Sequence, residues 1–126
     1  MGVTRERLGA RRGLVVVQAH TDGADILSLV GELDAATAAR FVSQAGDALR
    51  GGAKRLFVEL EGVGFVDSAG LAALLNVLRR ATAQKARMVL VGTPPQVRDV
   101  LAQTRLDREF SFAPTIADAA AATGAA

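Results

Sequence analysis

Apolar positions change their spacing along the chain in a way that marks successive elements. Leu14 to Ala19 is a β-branched, apolar run and Ile26 to Val30 is another. His20, Thr21, Asp22, Gly23 and Ala24 separate them with an Asp-Gly turn signal, so the two runs predict an antiparallel hairpin. From Asp34 the period lengthens. Ala38, Phe41, Val42, Ala45 and Leu49 fall at helical spacing, and Gly51-Gly52 supplies the stop.

Arg55 to Leu60 and Met88 to Val91 are short apolar runs bounded by glycine and predict buried strands. Between them Leu71, Leu74, Leu75 and Leu78 form the stripe of a helix packed on a sheet, with Asn76, Arg79 and Arg80 on its other face. Thr93-Pro94-Pro95 opens a further helix: Thr93 can cap, and Pro94 can take the first helical position, whose amide has no partner within the helix. Val97, Val100 and Leu101 give that helix its apolar side. Arg108 to Phe112 reads as a last short strand, and Thr115 to Asp118 has capping-box spacing before an alanine-rich helix. Helical crossovers favour parallel, right-handed connections, whereas the opening hairpin is antiparallel. The expected fold is therefore α/β: one domain over residues 13–123, with a mixed sheet, an N-terminal antiparallel hairpin and about four helices. Residues 1–12 are expected to be a flexible N-terminus and 124–126 a frayed end.

Composition narrows the chemistry. Half of the 126 residues are apolar, enough for one core, and five Phe with no Trp or Tyr make that core aliphatic and alanine-rich. The absence of Cys removes disulfides, thiolate nucleophiles and thiolate metal sites. Arg5, Arg7, Arg11 and Arg12 make a basic start, but Glu6 interrupts it and the net charge is only +2, so direct nucleic-acid binding is not favoured. Leu14 to Val17 is too short for a signal-peptide core, and Ser68 to Leu78 falls short of the roughly 20 residues that span a bilayer. A soluble, cytoplasmic protein is expected.

Catalysis requires convergent groups, and the chain has one His and no spaced set of His and carboxylates to hold a metal. His20 reads as an exposed turn residue. Gly62, Gly64 and Gly70 do not match a Walker A or dinucleotide fingerprint, and no Lys stands among them. Neither a cofactor nor enzymatic activity is expected. The segment Glu61-Gly62-Val63-Gly64-Phe65-Val66-Asp67-Ser68-Ala69-Gly70-Leu71 stands out as it leads into the second helix. Asp67 is a preferred helix cap, Ser68 falls in the first turn, and small Ala69 and Gly70 leave that end uncrowded. A phosphate on Ser68 would meet unpaired amides and the positive end of the helix, so its own domain would tolerate it. It would add about −1.5 to −2 charges to a docking surface. The same two residues can also be nothing more than a cap, and their spacing leaves both readings open.

Val66-Asp67-Ser68-Ala69-Gly70-Leu71 resembles the Asp-Ser-Ser/Thr-Gly-Leu signature of the STAS family, named for sulfate transporters and anti-sigma factor antagonists. Gly31-Glu32-Leu33-Asp34 is similar to a second segment of that family, at the end of its second strand. The resemblance is to the free-standing anti-sigma factor antagonists and covers nearly the whole chain. It implies that Ser68 is a phosphate acceptor, and that Asp34 and the Asp67, Ser68, Ala69 and Gly70 turn contact a partner. That partner would be an anti-sigma factor serine kinase: the unphosphorylated chain captures it and frees a sigma factor, phosphorylation of Ser68 breaks the complex, and a serine phosphatase restores binding. Ala69 stands where the family often has Ser or Thr, which leaves one acceptor. Asp34 has an equal alternative as the cap of the first helix, and Thr93 reads as a cap rather than a second phosphosite. A rival role within the family is a soluble subunit or regulator of a membrane transport complex.

Overall fold

The computed structural model describes residues 13–21 and 23–124; the basic N-terminal segment with Arg5, Arg7, Arg11 and Arg12, as well as Asp22 and the last two residues, lie outside them. Strands β1 (Leu14–Thr21) and β2 (Ala24–Leu33) pair antiparallel, with Thr21 opposite Ala24. Gly23 turns the chain with φ +71°, a left-handed conformation that glycine adopts without steric cost. Helix α1 (Ala38–Arg50) buries Phe41, Ala45, Gly46, Ala48 and Leu49, and Gly51 ends it.

Strand β3 (Arg55–Val66) is twice as long as the apolar run suggested, because Glu61 to Phe65 is strand and not loop. Its pairing with β2 shifts register between Ser28 and Val30 and again between Gly31 and Glu32. At each shift β3 takes up one extra residue, so Gly62 and Gly64 belong to bulged strand and do not terminate it. Helix α2 (Ser68–Ala83) follows one residue later, then β4 (Arg87–Val91) and helix α3 (Pro95–Gln103). The core side of α2 is Gly70, Leu71, Ala73, Leu74, Val77 and Ala81, whereas Leu75 and Leu78 are only half-buried. Pro94 takes the N-cap of α3 and Pro95 its first turn, one residue later than Thr93 and Pro94 were expected to do so. The Thr93 hydroxyl is buried and accepts no cap bond.

The stretch expected to be a strand from Arg108 to Phe112 divides differently. Arg105 reverses the chain at φ +63°, Leu106–Arg108 form a 3₁₀ turn, and Phe110 plugs the core. Only Ser111–Ala113 pair with Val89–Val91, as β5. Helix α4 (Ile116–Ala122) starts as its spacing indicated, the Thr115 hydroxyl accepting from the Asp118 amide at 3.1 Å.

The sheet runs β1-β2-β3-β4-β5, parallel from β2 onward. Alternation along the strands decides which face each helix covers. Leu27, Leu29, Leu56, Val58, Leu60, Met88 and Leu90 point into the main core with α1, α2 and α3. Phe57, Val89, Val91 and Ala113 point the other way, under Ala119 of α4. That second face is covered only in part: Val15, Val17, Val30 and Phe65 are 58%, 57%, 54% and 47% exposed. Among the described residues no helix is long and apolar enough to cross a membrane.

Candidate functional site

At the carboxyl ends of β2 and β3, Leu33 pairs with Val66, and each strand leads into a helix through a short acidic turn. Asp67 is extended at φ −105°, ψ −171°, and its carboxylate accepts from the Gly70 amide at 3.0 Å, the bond expected of a helix N-cap. Ser68 is therefore the first residue of α2 and is exposed, while Ala69 is half-buried and Gly70 buried. The Ser68 and Ala69 amides have no place in the helical ladder, so the field at this end favours negative charge. Asp67→Ala removes the cap and should lower stability by about 1 kcal/mol, read as a shift in the urea midpoint at unchanged slope.

The β2–α1 turn is tied differently from the expected cap. Asp34 does not cap α1, which begins four residues later. Its carboxylate accepts from the Ala36 and Thr37 amides at 3.0 and 3.2 Å and so closes the turn. Thr37, which sequence reasoning missed, is the buried knot of this turn: its hydroxyl donates to the Glu32 carbonyl at 2.7 Å and accepts from the Asp34 amide at 3.0 Å. The Asp-x-x-Thr spacing was its available signal.

The two turns touch through backbone. The Asp67 amide donates to the Leu33 carbonyl at 3.3 Å, and Gly70 packs against the same carbonyl. Asp34, Asp67, Ser68, Ala69 and Gly70 are thus brought to one corner, with Ser68 outermost and Asp34 half-buried.

His20 lies elsewhere. It pairs with Asp25 at the opening end of β2, where its Nδ1 is 2.9 Å from Asp25 Oδ1. Asp25 is buried and also accepts from Gln18 at 3.1 Å. Ser68 follows the far end of β3, roughly 25–30 Å away along strands rising about 3.3 Å per residue. An imidazole at that distance cannot take a proton from Ser68, which requires hydrogen-bond reach. A cavity of about 460 Å³ at the ends of β4 and β5 is lined by Gly92, Thr93, Arg98, Phe112, Ala113 and Pro114, with none of the corner residues in it. There the Arg98 guanidinium lies 3.9 Å from the centre of the Phe112 ring.

The family model for the STAS domain matches residues 16–119. The chain belongs to the STAS family. Solved STAS structures carry the same fold. An anti-sigma factor antagonist from Mycobacterium paratuberculosis is 27% identical, with a TM-score of 0.78 over 86% of this chain and 92% of its own. A Thermotoga maritima protein described as an anti-sigma factor antagonist is 28% identical, with a TM-score of 0.75 over 82% of this chain and 90% of its own. The phosphorylated form of the Bacillus cell fate determinant SpoIIAA, 22% identical with a TM-score of 0.64 over 79% of this chain and 92% of its own, shares the fold. No curated protein sequence matches the chain. The mixed sheet, antiparallel hairpin and four helices expected from the sequence are those of a STAS domain.

Proposed function

We propose that this STAS domain is an anti-sigma factor antagonist whose docking is switched by phosphate on Ser68. One observation carries the reading: the Ser68 side chain stands exposed at the start of α2, outside the packing and hydrogen bonds that hold the corner together. Adding a phosphate there removes no core contact and breaks no cap. It places a near-dianion beside Asp67 and Asp34, on the surface that a partner would cover. The likeness to proteins described as anti-sigma factor antagonists, at 27% and 28% identity, supports the role.

In this reading the unphosphorylated corner binds an anti-sigma factor serine kinase and a sigma factor is released. The kinase brings the ATP and transfers its phosphoryl group to the Ser68 hydroxyl. Like charge and the desolvation of an unpaired phosphate then expel the domain. A serine phosphatase returns it to the binding form.

The test uses a purified anti-sigma factor serine kinase from the same cell and three forms of the domain. The parent should bind and become phosphorylated in ATP, Ser68→Ala should bind whether or not ATP is present, and Ser68→Glu should bind at least about tenfold more weakly, or 1.4 kcal/mol. All three should melt within about 2 °C of one another, because the position is exposed. Equal binding by all three forms removes the proposal.

A further inference from the structure

β1 is an edge strand, and the bonds that hold it define its free side. The Glu32 amide donates to the Gly13 carbonyl at 3.1 Å, so residues 13 and 32 form a hydrogen-bonded pair. In an antiparallel ladder such pairs alternate, which makes Val15/Val30, Val17/Ser28 and Ala19/Ile26 the inward-bonding pairs. The amides and carbonyls of Leu14, Val16, Gln18 and His20 therefore point away from β2. Arg40 of α1 reaches over and donates to the outward Leu14 carbonyl, in agreement with that parity. Among the described residues, Val16, Gln18 and His20 have no strand on that side.

Edge strands are usually protected by Lys, Pro, a bulge or a covering helix. β1 has no Lys, Pro or carboxylate, its ladder with β2 is unbroken, and Arg40 of α1 reaches over its first residue. Its odd-numbered residues stand on the sheet face that α4 leaves open, where Val15 and Val17 are more than half exposed beside Val30.

We infer that β1 pairs with β1 of a second copy of this chain, antiparallel, to make one continuous ten-stranded sheet. A second copy satisfies this edge through its own symmetry. A two-fold axis at Val17 sets Val17 against its counterpart, and Val16 opposite Gln18, so that the outward amides and carbonyls of Val16 and Gln18 pair, while the Leu14 carbonyl stays with Arg40. The same axis joins the exposed valines of both copies on one face, and the strand brings no like charges together. The contact amounts to one strand edge and four valines, Val15 and Val17 of each copy, well under the roughly 1,200 Å² of a stable interface, so the dimer is weak and concentration-dependent. The pairing uses none of the Ser68 corner residues and is independent of the switch reading.

Sedimentation velocity of the full chain between about 5 µM and 1 mM should show monomer passing to dimer. Val17→Lys places two ammonium groups on the axis and should raise the dissociation constant at least about tenfold. Its melting temperature should be unchanged, because residue 17 is 57% exposed in the monomer. Hydrogen exchange at the Val16, Gln18 and His20 amides should slow as concentration rises. A parent that is monomeric at 1 mM overturns the inference. Edge amides protected at every concentration would then show that the chain's own N-terminal segment covers β1, and unprotected ones that the edge stays open in the isolated chain. A Val17→Lys dimer as tight as the parent's would also overturn it.

Discussion

Gly70→Ala should destabilise the domain by about 2–3 kcal/mol and lower its melting temperature by about 10 °C, although it replaces a helical glycine with the best helix former. In an exposed helix that exchange would stabilise by up to about 1 kcal/mol. Here the added methyl would be 3.0 Å from the Leu33 carbonyl carbon, 2.9 Å from Val66 Cγ1, and closer still to the Leu33 oxygen. A side chain could rotate away, but a backbone carbonyl in a central strand cannot, so the steric term outweighs propensity. Relief would come from α2 moving off β2, which also parts the Asp34 turn from Ser68. Urea unfolding decides the sign, and a variant as stable as the parent would contradict the packing described here.

Gly31→Ala should cost more, about 3–4 kcal/mol. Two effects add there. Gly31 has φ +125°, where an L side chain is strained in any surroundings. Its methyl would also press on β1, 3.1 Å from the Gly13 carbonyl carbon and 3.2 Å from Leu14 Cα, with the Gly13 oxygen nearer. Gly64→Ala is the internal comparison: nothing lies within 4 Å of its added methyl, and its stability should change by no more than about 0.5 kcal/mol. Thermal melts of the three variants should rank Gly64→Ala, Gly70→Ala and Gly31→Ala in order of increasing loss. An equal loss at Gly31 and Gly64 would refute the close-approach explanation.

Both costly glycines lie in the two segments that carried the family resemblance, and the structure supplies the reason for each. What the sequence could show was local. The hairpin turn at Gly23, the helical spacing of α1 and the Thr115 cap depend on neighbours in the chain, and each was readable there. Asp67 and Ser68 were legible for the same reason: a cap and the residue after it are fixed within four positions.

Features decided by distant partners were not legible. Gly62 and Gly64 look like strand breakers until β2 is seen to hold them through two register shifts. Val77 replaces Leu78 at the centre of the α2 face because the sheet, and not leucine content, sets the helix rotation. Thr93 has the chemistry of a cap, yet Pro94 takes the position and the Thr93 hydroxyl is buried without a hydrogen-bond partner among the described residues. Asp34 was open between two roles, and its carboxylate closes the turn before α1 because Thr37 is tied back to Glu32. The covering of one sheet face by α4 alone has no signature in a run of alanines.

The shared Leu33 carbonyl has a consequence for timing. Because it receives the Asp67 amide and lies against Gly70, the two acidic turns are tied together at one backbone oxygen. A phosphate on exposed Ser68 would break neither contact. In the proposed cycle the pace of the response would then follow the enzymes that add and remove the mark, and how quickly the occupied complex dissociates.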